Sequence, residues 1–433
     1  MAVAKYDVPF GRGSIAVDAP DWVTMSIAIS REFEAAGSPK ELVDTAISNP
    51  IERPRLRDLA SNSKNVCIAV TDATRQCPDH LLVPPMLSEL EHAGVPPEAI
   101  TILVATGTHR ASSQQEKREK LGDAIVNRYR VVDHDPYDPD ALLDSGVEID
   151  GVPVHLNRCV IEADLVLSTG RVEPHQYAGY SGGGKTVAIG CAAEPVIAYT
   201  HGPAMLDRAG TRLGILAGNP FQEAVRLVAQ AANVQFVGNC VLNDAGILVG
   251  AAFGDPIAVQ DHLAQFASGL YVVPIPSQVD IAVAGVGYPK DQNAYQASRA
   301  ASYLQYAPTP VVRDGGVIIL PASCPEGPGE GVGEQRFFEA MTSPEGRQAF
   351  MARVRAGSFQ PGEQRAYIMA NVLNAVSVIV VGATDPGPLQ QMGFRTAETM
   401  GEAWDDASGL VARRPASALL VPHALLTMPV VRA

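Results

Sequence analysis

Short apolar runs that end in polar or glycine-containing loops recur along the 433-residue chain, and they constrain its fold more than any other feature. Strands that are apolar on both faces and alternate with helices are typical of parallel α/β sheets, which bind ligands at the carboxyl ends of their strands. The sequence therefore predicts an α/β protein with mainly parallel, Rossmann-like sheets. Helical patterns separate the six runs, which cover residues 65–70, 100–105, 163–167, 280–284, 316–320 and 376–381.

The pattern breaks at residues 270–278, where two prolines precede a fresh strand, and we expect a domain boundary there. We predict an N-terminal α/β cofactor-binding domain over residues 1–272 and a smaller α/β domain over 273–410 that contributes substrate contacts. The active site would lie in the cleft between them. The apolar tail, about residues 411–433, is expected to supply a final strand that returns to the first domain. The Gly- and Glu-rich segment 324–334 is either a solvated turn or a cover over the cleft.

Composition excludes several classes of protein. The 47 acidic residues exceed the 33 basic ones, giving a net charge of −14, which argues against a nucleic-acid partner. A hydrophobic fraction of 46 % excludes global disorder. We find no apolar run of about 18 residues and no signal sequence, so we expect no membrane partner. The six cysteines are scattered without a CxxC pair, which indicates a reducing, cytoplasmic location rather than a disulfide framework or zinc site.

A glycine-rich loop is the most informative local motif. Residues 179–186, GYSGGGKT, match the phosphate-binding pattern G-x4-G-K-[ST]. That pattern requires a hydrophobic strand directly before the loop, whereas Pro174 here lies in a polar run that makes a poor central strand. The amides of residues 182–184 can still cradle a phosphate. A phosphotransferase in which Thr186 binds Mg²⁺ and Lys185 binds the β- and γ-phosphates remains an alternative.

Three of the nine histidines, His109, His175 and His201, lie in loops where such a sheet presents its ligands. Neutral imidazoles on two sides of a substrate exchange protons near pH 7, and a third imidazole can bind a metal. Each histidine taken alone is as readily explained by a structural role, so position does not assign these functions.

Charged side chains occupy comparable positions. Arg75, after the first strand, is suited to bind a carboxylate through its planar fork, with Asp72 orienting it or a neighbour, although a surface ion pair explains both residues equally well. Tyr295 and Gln296 precede Arg299 by four and three residues and would share one helix face with it. That face is either an anion-binding face or a solvated one.

Taken in order, these motifs resemble the nickel-dependent lactate racemase family. The resemblance extends over nearly the whole chain, and its specificity lies in the order and spacing of the five motifs together. They are TDATR at 71–75, GTHR at 107–110, the segment from Pro174 to Lys185, His201, and YQASR at 295–299.

The resemblance implies a nickel-pincer nucleotide cofactor, a nickel complex of pyridinium-3-thioamide-5-thiocarboxylic acid mononucleotide. It implies that Lys185 attaches to this group covalently through a thioamide, that His201 ligates the nickel, and that dedicated biosynthetic enzymes supply the group. Soft sulfur donors and an imidazole suit nickel without a cysteine cluster in the protein. The other cofactor contacts that it implies are Asp72, Tyr177, Ser181, Gly182, Gly183 and Gly184.

The reaction implied is racemisation or epimerisation of a 2-hydroxy acid. A hydride passes from the substrate to the cofactor and returns to the opposite face of a planar 2-keto acid, while His109 and His175 alternate as acid and base. The same resemblance places the substrate against Arg75, Tyr295, Gln296 and Arg299. A family member that binds nickel and nucleotide without turnover is a further alternative, which the presence of two loop imidazoles disfavours.

Two departures from the family pattern widen the range of substrates. Lactate-active members carry a lysine where this chain has Arg299, and a tryptophan in the region that we align with Glu363 and Gln364. The substrate is therefore expected to be lactate-like or malate-like, with Arg299 or Arg110 available for a second carboxylate.

Overall fold

The computed structural model describes residues 5–31, 33, 35–357 and 362–432. Its strands are β1 (Lys5–Phe10), β2 (Gly13–Asp18), β3 (Val23–Ile27), β4 (Val66–Thr71), β5 (Ile100–Ala105), β6 (Arg130–Asp133), β7 (Leu142–Ile149), β8 (Val152–Asn157), β9 (Leu165–Arg171), β10 (Pro174–His175), β11 (Gly179–Tyr180), β12 (Val234–Leu242), β13 (Leu248–Gly254), β14 (Val272–Ile275), β15 (Val279–Ala284), β16 (Val312–Pro321), β17 (Ser377–Val381), β18 (Arg395–Ala397), β19 (Ala416–Val421) and β20 (Met428–Val431).

The helices alternate with these strands, as the sequence pattern predicts, and a 3-10 turn covers Pro97–Ala99. They are α1 (Pro39–Ser48), α2 (Leu56–Leu59), α3 (Asp79–His92), α4 (Gln114–Leu121), α5 (Asp123–Arg128), α6 (Arg158–Ile161), α7 (Lys185–Ala188), α8 (Glu194–His201), α9 (Pro203–Leu206), α10 (Pro220–Ala231), α11 (Pro256–Tyr271), α12 (Ala294–Ala297), α13 (Arg299–Gln305), α14 (Val332–Met341), α15 (Gly346–Arg355), α16 (Gln364–Ala375), α17 (Pro386–Gln391) and α18 (Met400–Leu410).

The first six-stranded sheet has the order β13-β12-β9-β4-β5-β6. Its neighbours pair in parallel except for β12 and β13, which pair antiparallel. All six residues of β5 are buried, as expected for a strand covered by helices on both faces. β9 extends through residues 168–171, which the sequence pattern assigns to a loop, because these residues pair with β12.

The second sheet is entirely parallel and has the order β18-β17-β16-β15-β19-β3. Two mainly parallel α/β sheets therefore confirm the predicted fold class. β19, from the tail, lies between β15 and the early strand β3, and β20 pairs with β14. Within the tail, β19 thus joins the second sheet, as does the early strand β3, whereas the final strand β20 belongs to a separate two-stranded sheet, and its Met428 packs in the core of the first half. The division of the chain at residue 272 stays a prediction.

Contacts between the two halves meet around Tyr177, which packs against the hydrophobic cores of both. The buried Gln176 accepts a hydrogen bond from Ser302 (3.3 Å). At the periphery, the Tyr367 hydroxyl donates to the Asp207 carboxylate (2.6 Å). These contacts bring α13 of the second half against residues 176–177, directly before the glycine-rich loop, and α16 against Asp207.

The segment after β16 is a folded loop that packs against residues 291–294. The amide of Cys324 donates to the Asp291 carbonyl, and the amide of Ala294 donates to the Gly327 carbonyl. These bonds hold residues 324–327 beside the start of α12, with Cys324 buried and with Pro325 and Glu326 exposed in a turn. A role of the segment as a cover over the cleft stays a prediction. Within the described ranges, no helix is both long enough and apolar enough to cross a membrane.

Candidate active site

The carboxyl ends of β4 and β5 bring Asp72 and His109 together. The buried Asp72 carboxylate accepts hydrogen bonds from the His109 Nδ1 (2.6 Å) and from the Thr74 hydroxyl (2.9 Å). Because Nδ1–H is engaged, the neutral His109 ring presents a free lone pair at Nε2. Asp72 therefore orients His109 rather than Arg75. Burial alone would raise the pKa of Asp72, but the hydrogen bond and charge of His109 outweigh it and lower that pKa.

His175 is held in the opposite tautomer. Its Nδ1 accepts hydrogen bonds from the backbone amides of Tyr177 (3.2 Å) and Ala178 (3.1 Å), so the neutral ring carries its hydrogen at Nε2. Burial, followed by the charges of Lys185 and other cations, lowers the pKa of His175 well below the ordinary value. The site thus contains one imidazole that accepts at Nε2 and one that donates there.

His201 lies at the end of α8, and its Nδ1 is 3.0 Å from the Ile197 carbonyl. This hydrogen bond leaves Nε2 free to act as a ligand, the arrangement that metal-binding histidines use. Burial and the charge of Lys185 lower the pKa of His201 to about 3, which keeps the ring neutral. The His201 ring packs edge-on against Phe221 and Tyr177.

The glycine-rich loop is fixed by residues far away in sequence. The Gly183 amide donates to the Asn239 side chain on β12 (2.7 Å), and the Gln260 amide on α11 donates to the Ser181 carbonyl (3.3 Å). The Ser181 hydroxyl donates to the Arg171 carbonyl (2.7 Å) and is therefore used within the loop. At Gly184 a Cβ would lie 2.3 Å from Ala229, so a larger residue would not fit between the loop and α10.

Lys185 begins α7, directly after this loop, and is half-buried. Burial and the nearby charge of Arg75 lower its pKa to about 7, although Glu173 opposes the shift. The Lys185 amine is therefore much less basic than an exposed lysine amine. Because the charges of Lys185 and Arg75 act on both His175 and His201, these predicted site residues lie in one region.

This geometry does not support the phosphotransferase alternative. The residues before the loop form the short hairpin strands β10 and β11 instead of a central strand. The Thr186 hydroxyl donates to the Thr169 carbonyl (2.7 Å). The loop thus lacks the strand that aims its amides in a phosphate-binding loop.

The second half contributes Gln296 and Arg299 to the region. The expected single helix is interrupted at Ser298, which separates α12 from α13. Across the break, the Arg299 guanidinium contacts the Gln296 side chain (3.4 Å), and it also donates to the Tyr303 hydroxyl (3.2 Å). The Tyr295 ring packs against Phe337. The charge of Arg299 lowers the pKa of His175, which links the two halves of the site.

Arg110 is engaged outside the group of site residues in this structure. Both of its terminal nitrogens donate to the Glu116 carboxylate, and its side chain is 72 % exposed. A role of Arg110 in holding a second carboxylate stays a prediction.

Sequence reasoning missed four residues of this region: Phe221, Asn239, Gln260 and Arg365. Phe221 packs against the rings of His175 and His201, and Arg365 lies over the Tyr295 ring. The Asn-Pro pair before Phe221 marks a helix start, but none of the four belongs to a recognisable motif.

The residues present fit a covalently attached nickel-bearing nucleotide. Lys185 supplies an amine with a lowered pKa, and His201 supplies one neutral imidazole nitrogen. In the described part of the chain, no three His, Cys, Asp or Glu side chains are grouped to hold a metal ion. A metal here needs further ligands from a bound group, as a pincer nucleotide would provide.

Comparisons with known proteins agree with the fold. Residues 10–214 match the lactate racemase N-terminal domain family, and residues 273–426 match the lactate racemase C-terminal domain family. The chain is 30 % identical over 413 residues to a lactate racemase from Thermoanaerobacterium thermosaccharolyticum, covering 94 % of this chain and 95 % of that one. It is 30 % identical over 410 residues to a lactate racemase from Lactiplantibacillus plantarum, covering 93 % and 94 %.

Solved structures show the same architecture. The lactate racemase apoprotein from T. thermosaccharolyticum superposes with a TM-score of 0.87 at 29 % identity, covering 99 % of this chain and 100 % of that one. A protein from Thermotoga maritima shares the fold with a TM-score of 0.62 at 19 % identity, covering 89 % and 99 %.

The two-domain α/β fold and these relatives define an isomerase, a racemase that acts on a small molecule. More particularly, the chain belongs to the lactate racemase family.

Proposed function

We propose that the chain racemises or epimerises a 2-hydroxy acid, using a nickel-pincer nucleotide held in the cleft between its two halves. The observation that carries this proposal is the convergence of Lys185 and Arg75 on His175 and His201, two rings that both pack against Tyr177. A reactive amine, a metal-binding imidazole and a carboxylate-binding guanidinium together match the needs of this chemistry. We place the reaction in the cytoplasm, where cofactor-biosynthesis enzymes would load the protein.

Lys185 and His201 would hold the cofactor, with Asp72, Tyr177 and residues 181–184 around it. When bound, the group would supply hydride-transfer chemistry at the substrate carbon. The protein does the remaining work: Arg75 binds the carboxylate of the substrate, and Gln296 and Tyr295 line its other side. His175 and His201 are half-buried, and desolvation is the largest cause of their lowered pKa values. A desolvated region of this kind favours electrostatic positioning of the substrate.

His109 and His175 are proposed to take up and return the hydroxyl proton of the substrate, each serving one of the two enantiomers. His109, oriented by Asp72, accepts a proton at Nε2. His175 presents Nε2–H and donates a hydrogen bond to the substrate oxygen in the conformation described above. To accept a proton at Nε2, the His175 ring must give up the hydrogen bonds from the amides of Tyr177 and Ala178.

Loading with the cofactor tests the proposal directly. The protein is co-produced with the cofactor-biosynthesis enzymes in nickel-supplemented cells, and its intact mass and nickel content are measured. We expect a covalent adduct on Lys185 with about one nickel per chain, and inversion of a 2-hydroxy acid by the loaded protein.

Lys185→Ala removes the attachment amine and should abolish the adduct, whereas Lys40→Ala, at an exposed site, should load normally. Absence of adduct and nickel in the unmodified protein, while a lactate racemase loads in parallel, would contradict the proposal. Full racemisation by Lys185→Ala would contradict it as well.

A further inference from the structure

Arg365, on the first turn of α16, is a buried cation that has no role in the proposed reaction. Arg365 is only 5 % exposed. Nη1 donates to the Ser302 hydroxyl (3.0 Å), and Nη2 donates to the Ser298 hydroxyl (3.2 Å). Nε makes no hydrogen bond within the described part of the chain. A guanidinium has five N–H donors, so these neutral partners leave it incompletely satisfied.

The surroundings of Arg365 contain aromatic rings and a second cation, Arg299. The Arg365 Cζ lies 6.0 Å from the Tyr295 ring centroid. Ser302, which accepts from Arg365, donates to the Arg299 carbonyl (2.9 Å), so both arginines are anchored to the same turn of α13. Their charges both lower the pKa of the Tyr177 phenol against the effect of its burial.

Tyr177 connects this pair of arginines to the reacting groups. The Tyr177 ring centroid lies 5.6 Å from that of His175 and 5.7 Å from that of His201. Arg365 and Arg299 therefore face the same region as the catalytic and metal-binding imidazoles. Burial lowers the pKa of Arg365 most, and the like charge of Arg299 lowers it further, while Tyr177 raises it. The result is a pKa of about 10, so the guanidinium remains charged at neutral pH.

Counter-charge is missing from this pair. Neither Arg299 nor Arg365 forms an ion pair with a carboxylate of residues 5–31, 33, 35–357 or 362–432. Glu173, the carboxylate that acts on Arg299, is paired with Arg171 (3.0 Å). Buried charges without a partner are strongly unfavourable, and a planar guanidinium binds a carboxylate with two parallel hydrogen bonds.

We propose that Arg365 and Arg299 together bind a second carboxylate of the substrate, so that the chain acts on 2-hydroxy dicarboxylic acids of about the size of malate. This inference rests on the proposed function, in which Arg75 binds the carboxylate beside the reacting carbon. It assigns to Arg365 the role of specificity-determining residue. A substrate with an apolar methyl group in the same place would leave two guanidinium groups unpaired.

Binding of two matched acids tests the proposal without turnover. Succinate and butyrate have equal chain length, lack the hydroxyl group and differ by one carboxylate. Isothermal titration calorimetry on the cofactor-loaded protein should show that succinate binds about 10- to 100-fold more tightly than butyrate. Equal affinities for the two acids in the unmodified protein would overturn the inference, whatever the variants do.

Variants locate the discrimination at Arg365. In Arg365→Gln the advantage of succinate should disappear, and in Arg365→Lys, which keeps the charge and loses the planar fork, part of it should return. Arg313→Gln is the matched control, because Arg313 lies in the same sheet domain and is already paired with Asp280 (2.8 Å). An unchanged preference for succinate in a folded Arg365→Gln protein would show that Arg365 is structural only.

Racemisation assays separate failure of this inference from failure of the proposed function. We expect malate to be racemised with a kcat/KM about 100-fold above that of lactate, and Arg365→Gln to lose this advantage mainly through KM. Intact mass confirms that the variant carries the same adduct. Efficient inversion of lactate without malate would overturn the inference and keep the proposed function, whereas no inversion of any 2-hydroxy acid by loaded protein would overturn both.

Discussion

Lys185 has an amine that is far less basic than a lysine amine in water. Burial and the charge of Arg75 lower its pKa from the ordinary 10.5 to about 7. Between pH 7 and 10.5 the unfolded chain therefore binds a proton at this residue that the folded chain does not bind, and folding leaves the amine nucleophilic.

Chemical labelling measures this property on the protein without cofactor. Acylation of Lys185, followed by peptide mass spectrometry over pH 5 to 10, should reach half its maximal rate near pH 7. Lys40, whose side chain is 79 % exposed, reports how the reagent responds to pH in solvent. Labelling of Lys185 that rises only above pH 9, in parallel with Lys40, would show that the amine is not activated.

The two histidines that we propose as acid and base are expected to hold different tautomers. His109 donates Nδ1–H to Asp72, whereas the Nδ1 of His175 accepts from two backbone amides. Nitrogen-15 NMR at pH 7.5 should therefore show the Nδ1–H form for His109 and the Nε2–H form for His175.

Asp72→Asn should remove the tautomer preference of His109 and leave that of His175 unchanged. It should also reduce turnover by roughly 10²–10⁴-fold, the usual contribution of a well-oriented base. Identical tautomers at the two histidines would refute the assignment.

At the scale of elements, the glycine-rich loop depends on backbone conformations that other residues rarely adopt. Gly182 has φ +83°, and a Cβ there would lie 2.5 Å from Val172 and 2.8 Å from the Asn239 side chain. Gly218 has a similar φ of +67° but open space around it, so it isolates the backbone effect from the packing effect.

We expect Gly218→Ala to lower the free energy of unfolding by about 1 kcal/mol. Gly182→Ala should lower it by about 2–4 kcal/mol, because it adds a clash in a packed region to the same strain. Urea denaturation of the two variants gives both values. Equal losses would mean that the loop moves aside without cost.

Motifs close together in sequence could be predicted, whereas partners distant in sequence could not. The apolar runs predict β4, β5 and β9 because burial on both faces leaves a continuous hydrophobic signal. The interruption at Ser298 leaves no such signal. Arg365 contacts serines 63 and 67 residues away, and Asn239 contacts a glycine 56 residues away, so only the folded chain brings them to the site.

Across the whole molecule, the first 30 residues stabilise the second sheet. Val8 and Val17 are fully buried in a cluster with residues of β15, β16 and α18, and Trp22 packs edge-on against Trp404 at 6.2 Å. The linear division of the chain at residue 272 would assign all of these early residues to the other domain.

Deleting residues 1–28 tests this dependence. The deletion removes β1–β3, exposes the edge of β19 and should abolish cooperative unfolding of the second sheet. Near-UV circular dichroism should lose the signal of Trp404, the tryptophan that the truncated chain retains. A truncated protein that kept this signal and its melting temperature would show that the early strands are dispensable.

The pairing of β3 with β19 also has a consequence for how the protein is made. Residues 23–27 are among the first to leave the ribosome, but their partners at residues 416–420 are among the last to be translated. At about 5–20 residues per second, the early strand waits for roughly 20–80 s before its neighbour exists. The first sheet, whose strands all lie between residues 66 and 254, can form during this interval. Synthesis of the last strands then completes the second sheet, so a ribosome that stalls late releases a chain with a finished first sheet and an open second one.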